Sequence, residues 1–132
     1  MKKLFISLLL STILILAGCS ESEEPKSYDK FNHIDHWDQL NDLGDGLTLI
    51  YYYSPYCEVC IGIESEVTSQ LVKLEDTYTI YLIDDGEIYE QGEQPFETRI
   101  PSLFIFENGI LIESILGSIP VLDYLDNLTS SS

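Results

Sequence analysis

Two cysteines, Cys57 and Cys60, follow an apolar, β-rich run, Leu47-Thr48-Leu49-Ile50-Tyr51-Tyr52-Tyr53, and open a segment with helical periodicity. A Cys-x-x-Cys pair in the first turn of a helix can close into one small disulfide ring. It can also leave one thiol at the exposed helix N-terminus, where the helix dipole favours the thiolate. Such a pair suits reversible electron exchange. It suits a structural staple poorly, because a stabilising disulfide gains from closing a long loop and this one closes a very short loop.

A metal site is the first rival. His33 and His36 would complete four zinc-type ligands with Cys57 and Cys60. Both histidines fall on a surface strand-to-helix turn, however, so redox work is the favoured reading, with no metal and no cofactor expected. Tyr51, Tyr52 and Tyr53 alternate along a strand and read as core and sheet-surface aromatics. Asp84, Asp85 and the acids of 87–97 read as a solvated loop without an EF-hand pattern.

The N-terminus assigns a compartment. Lys2 and Lys3 precede an apolar run, Leu4 to Leu16, too short for a membrane span and suited to a signal-peptide core. The run ends in Leu16-Ala17-Gly18-Cys19, which resembles the lipobox of bacterial lipoproteins. The resemblance implies removal of residues 1–18 and acylation of Cys19; an uncleaved anchor or an ordinary secretory signal is the alternative. Two acyl chains would hold the protein stably at a membrane surface. With Cys19 given to lipid, one cysteine pair remains, in a compartment that permits disulfides.

Cleavage would leave Lys26, Lys30, Lys73 and Arg99 against 23 Asp and Glu, four cations against 23 acids, a formal charge of −19. That balance excludes an electrostatic route to nucleic acid. It also repels anionic lipid, so a lipid anchor, not surface charge, must provide attachment.

The elements around the cysteines follow from pattern. Residues 19–30, rich in Ser, Glu and Lys, read as a lipidated cysteine and flexible tether. Residues 31–128 suit one domain, and 129–132 a polar tail. Asp35 is the expected N-cap of a short helix reaching Leu43, with Trp37 and Leu40 on one face. Leu47 to Tyr53 is a central strand. From Cys57 the apolar steps Cys60, Ile63, Val67, Leu71 and Leu74 mark a helix face. Tyr78 to Ile83 is the next strand, ended by Asp84-Asp85-Gly86. A polar stretch, 87–99, holds at most a helical turn around Phe96. Ser102 to Phe106 and Ile110 to Ile115 form a hairpin over Asn108-Gly109. Pro120 fits the first turn of a last helix. This order predicts an α/β domain with a central mixed sheet and helices on both faces.

These residues resemble the thioredoxin family. Tyr53-Ser54-Pro55-Tyr56-Cys57-Glu58-Val59-Cys60 is similar to the family's active-site motif. Arg99-Ile100-Pro101-Ser102-Leu103-Phe104-Ile105-Phe106-Glu107-Asn108-Gly109 is similar to its second conserved block, and Gly117 to a glycine after the last strand. The resemblance implies a thioredoxin-like fold and thiol–disulfide oxidoreductase activity. Cys57 would attack and Cys60 resolve. Pro101 would be a cis-proline that brings Ile100 beside the pair, where with Tyr56 it meets substrate. It implies protein disulfide or thiol partners and a redox partner that resets the pair; a monomer is expected, and the lipobox implies lipid anchoring at the extracytoplasmic face of a bacterial cell membrane. Three departures stand out. Tyr56 replaces the usual tryptophan, Glu58-Val59 replaces Gly-Pro, and Tyr51 falls where many members carry a buried acid. Glu58 beside the nucleophile should raise its pKa, which leans the pair toward reduction. The alternative of another class is a binding module of the same fold that turns nothing over.

Overall fold

The computed structural model describes residues 27–88 and 94–131; Cys19, the segment 1–18 and most of the expected tether lie outside the described residues. Five strands form one mixed sheet in the order β1-β3-β2-β4-β5: β1 (Asn32–His33), β2 (Leu47–Tyr53), β3 (Thr79–Asp84), β4 (Ser102–Glu107) and β5 (Ile110–Leu116). β2 runs parallel to β3 and antiparallel to β4, with Tyr52 opposite Ser102. The parallel step needs a crossover, supplied by α1 (Glu58–Leu74). The expected β-α-β unit and hairpin are both present, and the fold is α/β.

Strand alternation sorts the core into two layers. Leu49, Tyr51 and Tyr53 of β2, with Leu103 and Ile105 of β4, face Val67 and Leu71 of α1 and Val121 and Leu125 of α3 (Ser118–Ser130). Ile50, Tyr52, Phe104 and Phe106 face the other way, onto Trp37, Leu40 and Ile88. A 3-10 helix, Trp37–Asp42, and the short α2 (Asp85–Ile88) cover that second face.

Four boundaries differ from the sequence reading. The first helix starts at Trp37, not after Asp35, because the Gln39 side chain reaches back to accept from the backbone N–H groups of Asp35 (2.7 Å) and His36 (3.0 Å). Its 3-10 geometry eclipses Trp37 and Leu40, and both are buried. The polar stretch after β3 opens with α2, whose start is fixed by Asp84 Oδ1 accepting from Gly86 N–H at 2.8 Å; no helical turn stands at Phe96. Phe96 is instead held by ring contacts with Trp37, Phe104 and Phe106. Thr129 and Ser130, expected in a tail, belong to α3, where Thr129 Oγ1 donates to the Leu125 carbonyl at 3.0 Å. At the other end, Ser27 to Lys30 is part of the body and not tether: Tyr28–Lys30 is a 3-10 turn capped by Ser27, and Tyr28 is buried.

The hairpin turn uses Asn108 (φ 50°) and Gly109 (φ 78°), the left-handed pair that fits a two-residue connection. Gly117, at φ 97°, turns the chain from β5 into α3. Among the described residues, no helix is long and apolar enough to cross a membrane.

Candidate active site

β2 ends at Tyr53 and the chain turns at once. Cys57 N–H donates to the Ser54 carbonyl at 3.2 Å, closing a four-residue turn with Pro55 at its second position, where proline's fixed φ belongs. The turn delivers Cys57 as the N-cap of α1. A capping side chain must accept from the free N–H groups of the first turn. Cys57 Sγ does so, accepting from Cys60 N–H at 3.2 Å.

The two cysteines are free thiols in unequal settings. Cys57 is half-buried, and Cys60, one turn on and facing the core, is fully buried. Cys60 Sγ donates to Cys57 Sγ at 2.6 Å. Disulfide closure at about 2.05 Å therefore needs only a small approach of the two sulfurs. Burial, reinforced by that hydrogen bond, pushes the Cys60 thiol up to about 12. At neutral pH Cys60 is thus a protonated donor, and Cys57 is the sulfur open to a partner. Beside it in the chain the apolar residues Tyr56, Val59 and Ile61 are exposed, Tyr56 to 88 %, together with the charged Glu58.

Pro101 immediately precedes Ser102, the residue paired with Tyr52, so the sheet register brings it to the same end of β2 that launches the cysteine turn. The Ile100–Pro101 peptide is cis. Ser102 Oγ accepts from Arg99 N–H at 3.2 Å and bonds the Arg99 carbonyl, and the Pro101 carbonyl accepts from Gly117 N–H at 2.9 Å. Ile100 is half-buried and packs, like Cys57, against the α1-side core. Glu58 is exposed at the first position of α1.

Behind the pair lies a group the sequence reading missed. Tyr28 Oη donates to the Cys60 carbonyl at 2.7 Å. Its backbone N–H donates to Glu64 Oε1 at 2.9 Å, and its ring packs on Tyr53 with centroids 4.3 Å apart. Since the Cys60 carbonyl takes the Tyr28 proton, the Tyr51 hydroxyl, 3.1 Å away, donates to Tyr28 Oη. Tyr51 is fully buried, and burial raises its phenol far above the ordinary range, so it stays neutral and keeps the proton it donates. The one sequence signal for Tyr28 was an aromatic residue in an otherwise polar segment.

The histidines do not join the cysteines. His33 has both ring nitrogens engaged, Nδ1 with the Phe31 carbonyl (2.9 Å) and Nε2 with Tyr53 Oη (2.8 Å). Among the described residues, no group of three His, Cys, Asp or Glu is placed to hold a metal ion.

No protein-family model and no curated protein sequence matches the chain. Solved structures do. Mitochondrial thioredoxin 3 from Saccharomyces cerevisiae, in its oxidised form, superposes with a TM-score of 0.64 at 17 % identity, over 80 % of this chain and 98 % of that one. Thioredoxin from Malassezia sympodialis gives 0.60 at 20 % identity, over 76 % and 89 %. Thioredoxin f2 from Chlamydomonas reinhardtii gives 0.59 at 19 % identity, over 77 % and 98 %. At such identities the likeness defines a fold, and the fold is thioredoxin-like.

Proposed function

We propose that this thioredoxin-fold chain is a thiol–disulfide oxidoreductase tethered outside a bacterial cytoplasmic membrane by lipid on Cys19, after removal of residues 1–18. One observation carries the activity: a half-exposed Cys57 Sγ accepts both the N–H and the S–H of a buried Cys60. In the proposed cycle the Cys57 thiolate attacks one sulfur of a substrate disulfide. A mixed disulfide forms and the other substrate sulfur leaves as a thiolate. Cys60 then attacks Cys57 Sγ, releases its own proton, and expels the second substrate thiol. The substrate gains two electrons and the Cys57–Cys60 disulfide forms; a second redox protein reverses that change. No cofactor enters.

Tyr56, Ile100 and Pro101 are the residues assigned to substrate contact. Pro101 and the turn Arg99–Ser102 stand at the cysteine end of the sheet, where an extended substrate segment would pair with backbone. The net direction assigned is reduction. That assignment rests on Glu58, exposed next to Cys57, an acid that disfavours added negative charge on the reduced pair. The acidic surface keeps the body off anionic lipid, and the acyl chains hold it near.

The test is a trap. Cys60→Ser should accumulate covalent substrate adducts on Cys57, while the wild type turns over and accumulates none. A Cys60→Ser protein free of adducts, beside an active wild type, would overturn the assigned roles. A wild type inert toward any disulfide would leave only a binding module.

A further inference from the structure

Tyr28 ties the start of the domain to the redox pair. Its hydroxyl is bonded to the Cys60 carbonyl, its backbone N–H to Glu64 of α1, and its ring lies on Tyr53. Ser27 and Tyr28 also share the wall of a cavity of about 170 Å³ with Ser54 and Pro55 of the cysteine turn. The polypeptide therefore enters the fold at the redox end of the molecule. Nine peptide links separate Tyr28 from Cys19. Covalent geometry limits those links to a span of roughly 30 Å. Adding the Tyr28 side chain, the sulfurs of Cys57 and Cys60 stay within about 40 Å of the acylated residue.

We infer that the partner is a membrane-bound protein whose disulfide lies within this distance of the bilayer surface. The inference rests on the lipid-tethered oxidoreductase reading above and narrows its substrate class. The exposed apolar residues Tyr56, Val59 and Ile61 beside Cys57 suit contact with such a protein. Lipid itself does not suit this acidic chain. A substrate presented farther out is unreachable however reactive the thiols are. A substrate close in meets a high effective concentration of the reduced pair.

The test uses the lipidated chain in dilute vesicles, reduced beforehand and freed of reductant, against two reporters on the same vesicles. Each reporter is one disulfide hairpin peptide on a lipid anchor. One carries it on a short Gly/Ser spacer and the other on a rigid helical stalk of roughly 70 residues, about 100 Å long. In each case two electrons pass from the dithiol to the reporter, leaving a Cys57–Cys60 disulfide and two reporter thiols. The near reporter should be reduced at least about tenfold faster than the far one. Inserting roughly 60 Gly/Ser residues between Glu24 and Pro25 should bring the two rates to within about threefold. Equal rates for the unmodified chain, or a ratio the insertion does not change, would overturn the inference. Two controls separate it from its premise: the chain must float with vesicles, and it must reduce a soluble disulfide. Failure of either control sinks the tethered-oxidoreductase reading and this inference with it. Success of both with equal reporter rates sinks this inference alone.

Discussion

On one face of the sheet β2 presents Leu49, Tyr51 and Tyr53 to α1 and α3; on the other it presents Ile50 and Tyr52 to Trp37 and the phenylalanines. The first face buries polar atoms and gives them partners: Tyr51 to Tyr28, Tyr28 to the Cys60 carbonyl, Tyr53 to His33. The second is mostly hydrocarbon, with Phe96 wedged against Phe104 and Trp37. The Tyr52 hydroxyl there bonds Asp85 and accepts from Gln94, Ser102 Oγ is tied to the Arg99 backbone, and among the described residues Trp37 Nε1 is buried without a hydrogen-bond partner. A buried hydroxyl costs stability unless bonded, so a layer with several of them must be held in a fixed arrangement. Hydrocarbon makes no such demand. The α1 face thus combines packing with the posture of a reactive pair, and the opposite face is chiefly packing.

If that division holds, substitutions should separate cleanly into those that change chemistry and those that change stability. The largest effect is expected at Cys57→Ala, which removes the attacking sulfur: disulfide turnover should fall to background, while stability falls only by the loss of a helix cap, about 1 kcal/mol. Residual turnover would place reactivity elsewhere. Next, Phe104→Ala on the opposite face should cost about 3–5 kcal/mol in urea unfolding, a large share of a typical domain's stability. It should leave the alkylation rate of Cys57 in the folded protein unchanged; an altered rate would couple the two faces.

Third comes pH. Burial lifts Cys60 from an ordinary value near 9 to about 12. Between those values the unfolded reduced chain loses a proton that the folded chain keeps. The stability tied to Cys60 is fully present below about pH 9 and is lost as pH rises toward 12. Reduced wild type should therefore lose more stability over this window than Cys60→Ala, and parallel losses would contradict the burial of that thiol. The tyrosines titrate in both proteins and cancel in the comparison. The smallest effect is Tyr28→Phe. It keeps the ring but leaves the Tyr51 hydroxyl buried without its acceptor, at a cost of about 1–3 kcal/mol. The redox potential should shift with it, because the lost bond ends on the Cys60 carbonyl. Tyr52→Phe, matched on the other face, should leave the potential alone.

The sequence was most legible where a pattern repeats. β2 and β4 are apolar runs long enough to show alternation, α1 carries five apolar steps at helical spacing, and Asn108-Gly109 names its own turn. It was least legible where structure is short or tertiary. β1 has two residues, too few for a period, and is held by pairing Asn32 and His33 with Tyr81 and Leu82. α2 has four, opening on Asp-Gly, a turn signal by composition, and depends on the Asp84 side chain. Tyr28 sits among Ser, Glu and Lys, and only its partners 23 and 32 residues away make it core. In the candidate site, the cysteine pair and Pro101 could be read from local motifs. The phenol network behind them could not, since no local rule links residue 28 to residue 60.

The central claim is that Cys57 and Cys60 form a reversible pair with unequal thiols. Timed alkylation at neutral pH tests it most directly, read by peptide mass, on protein poised fully reduced and fully oxidised. In the reduced protein Cys57 should label rapidly with Cys60 spared, and after mild oxidation neither should label. Equal labelling of both, faster labelling of Cys60, or failure of the pair to close on oxidation would contradict it.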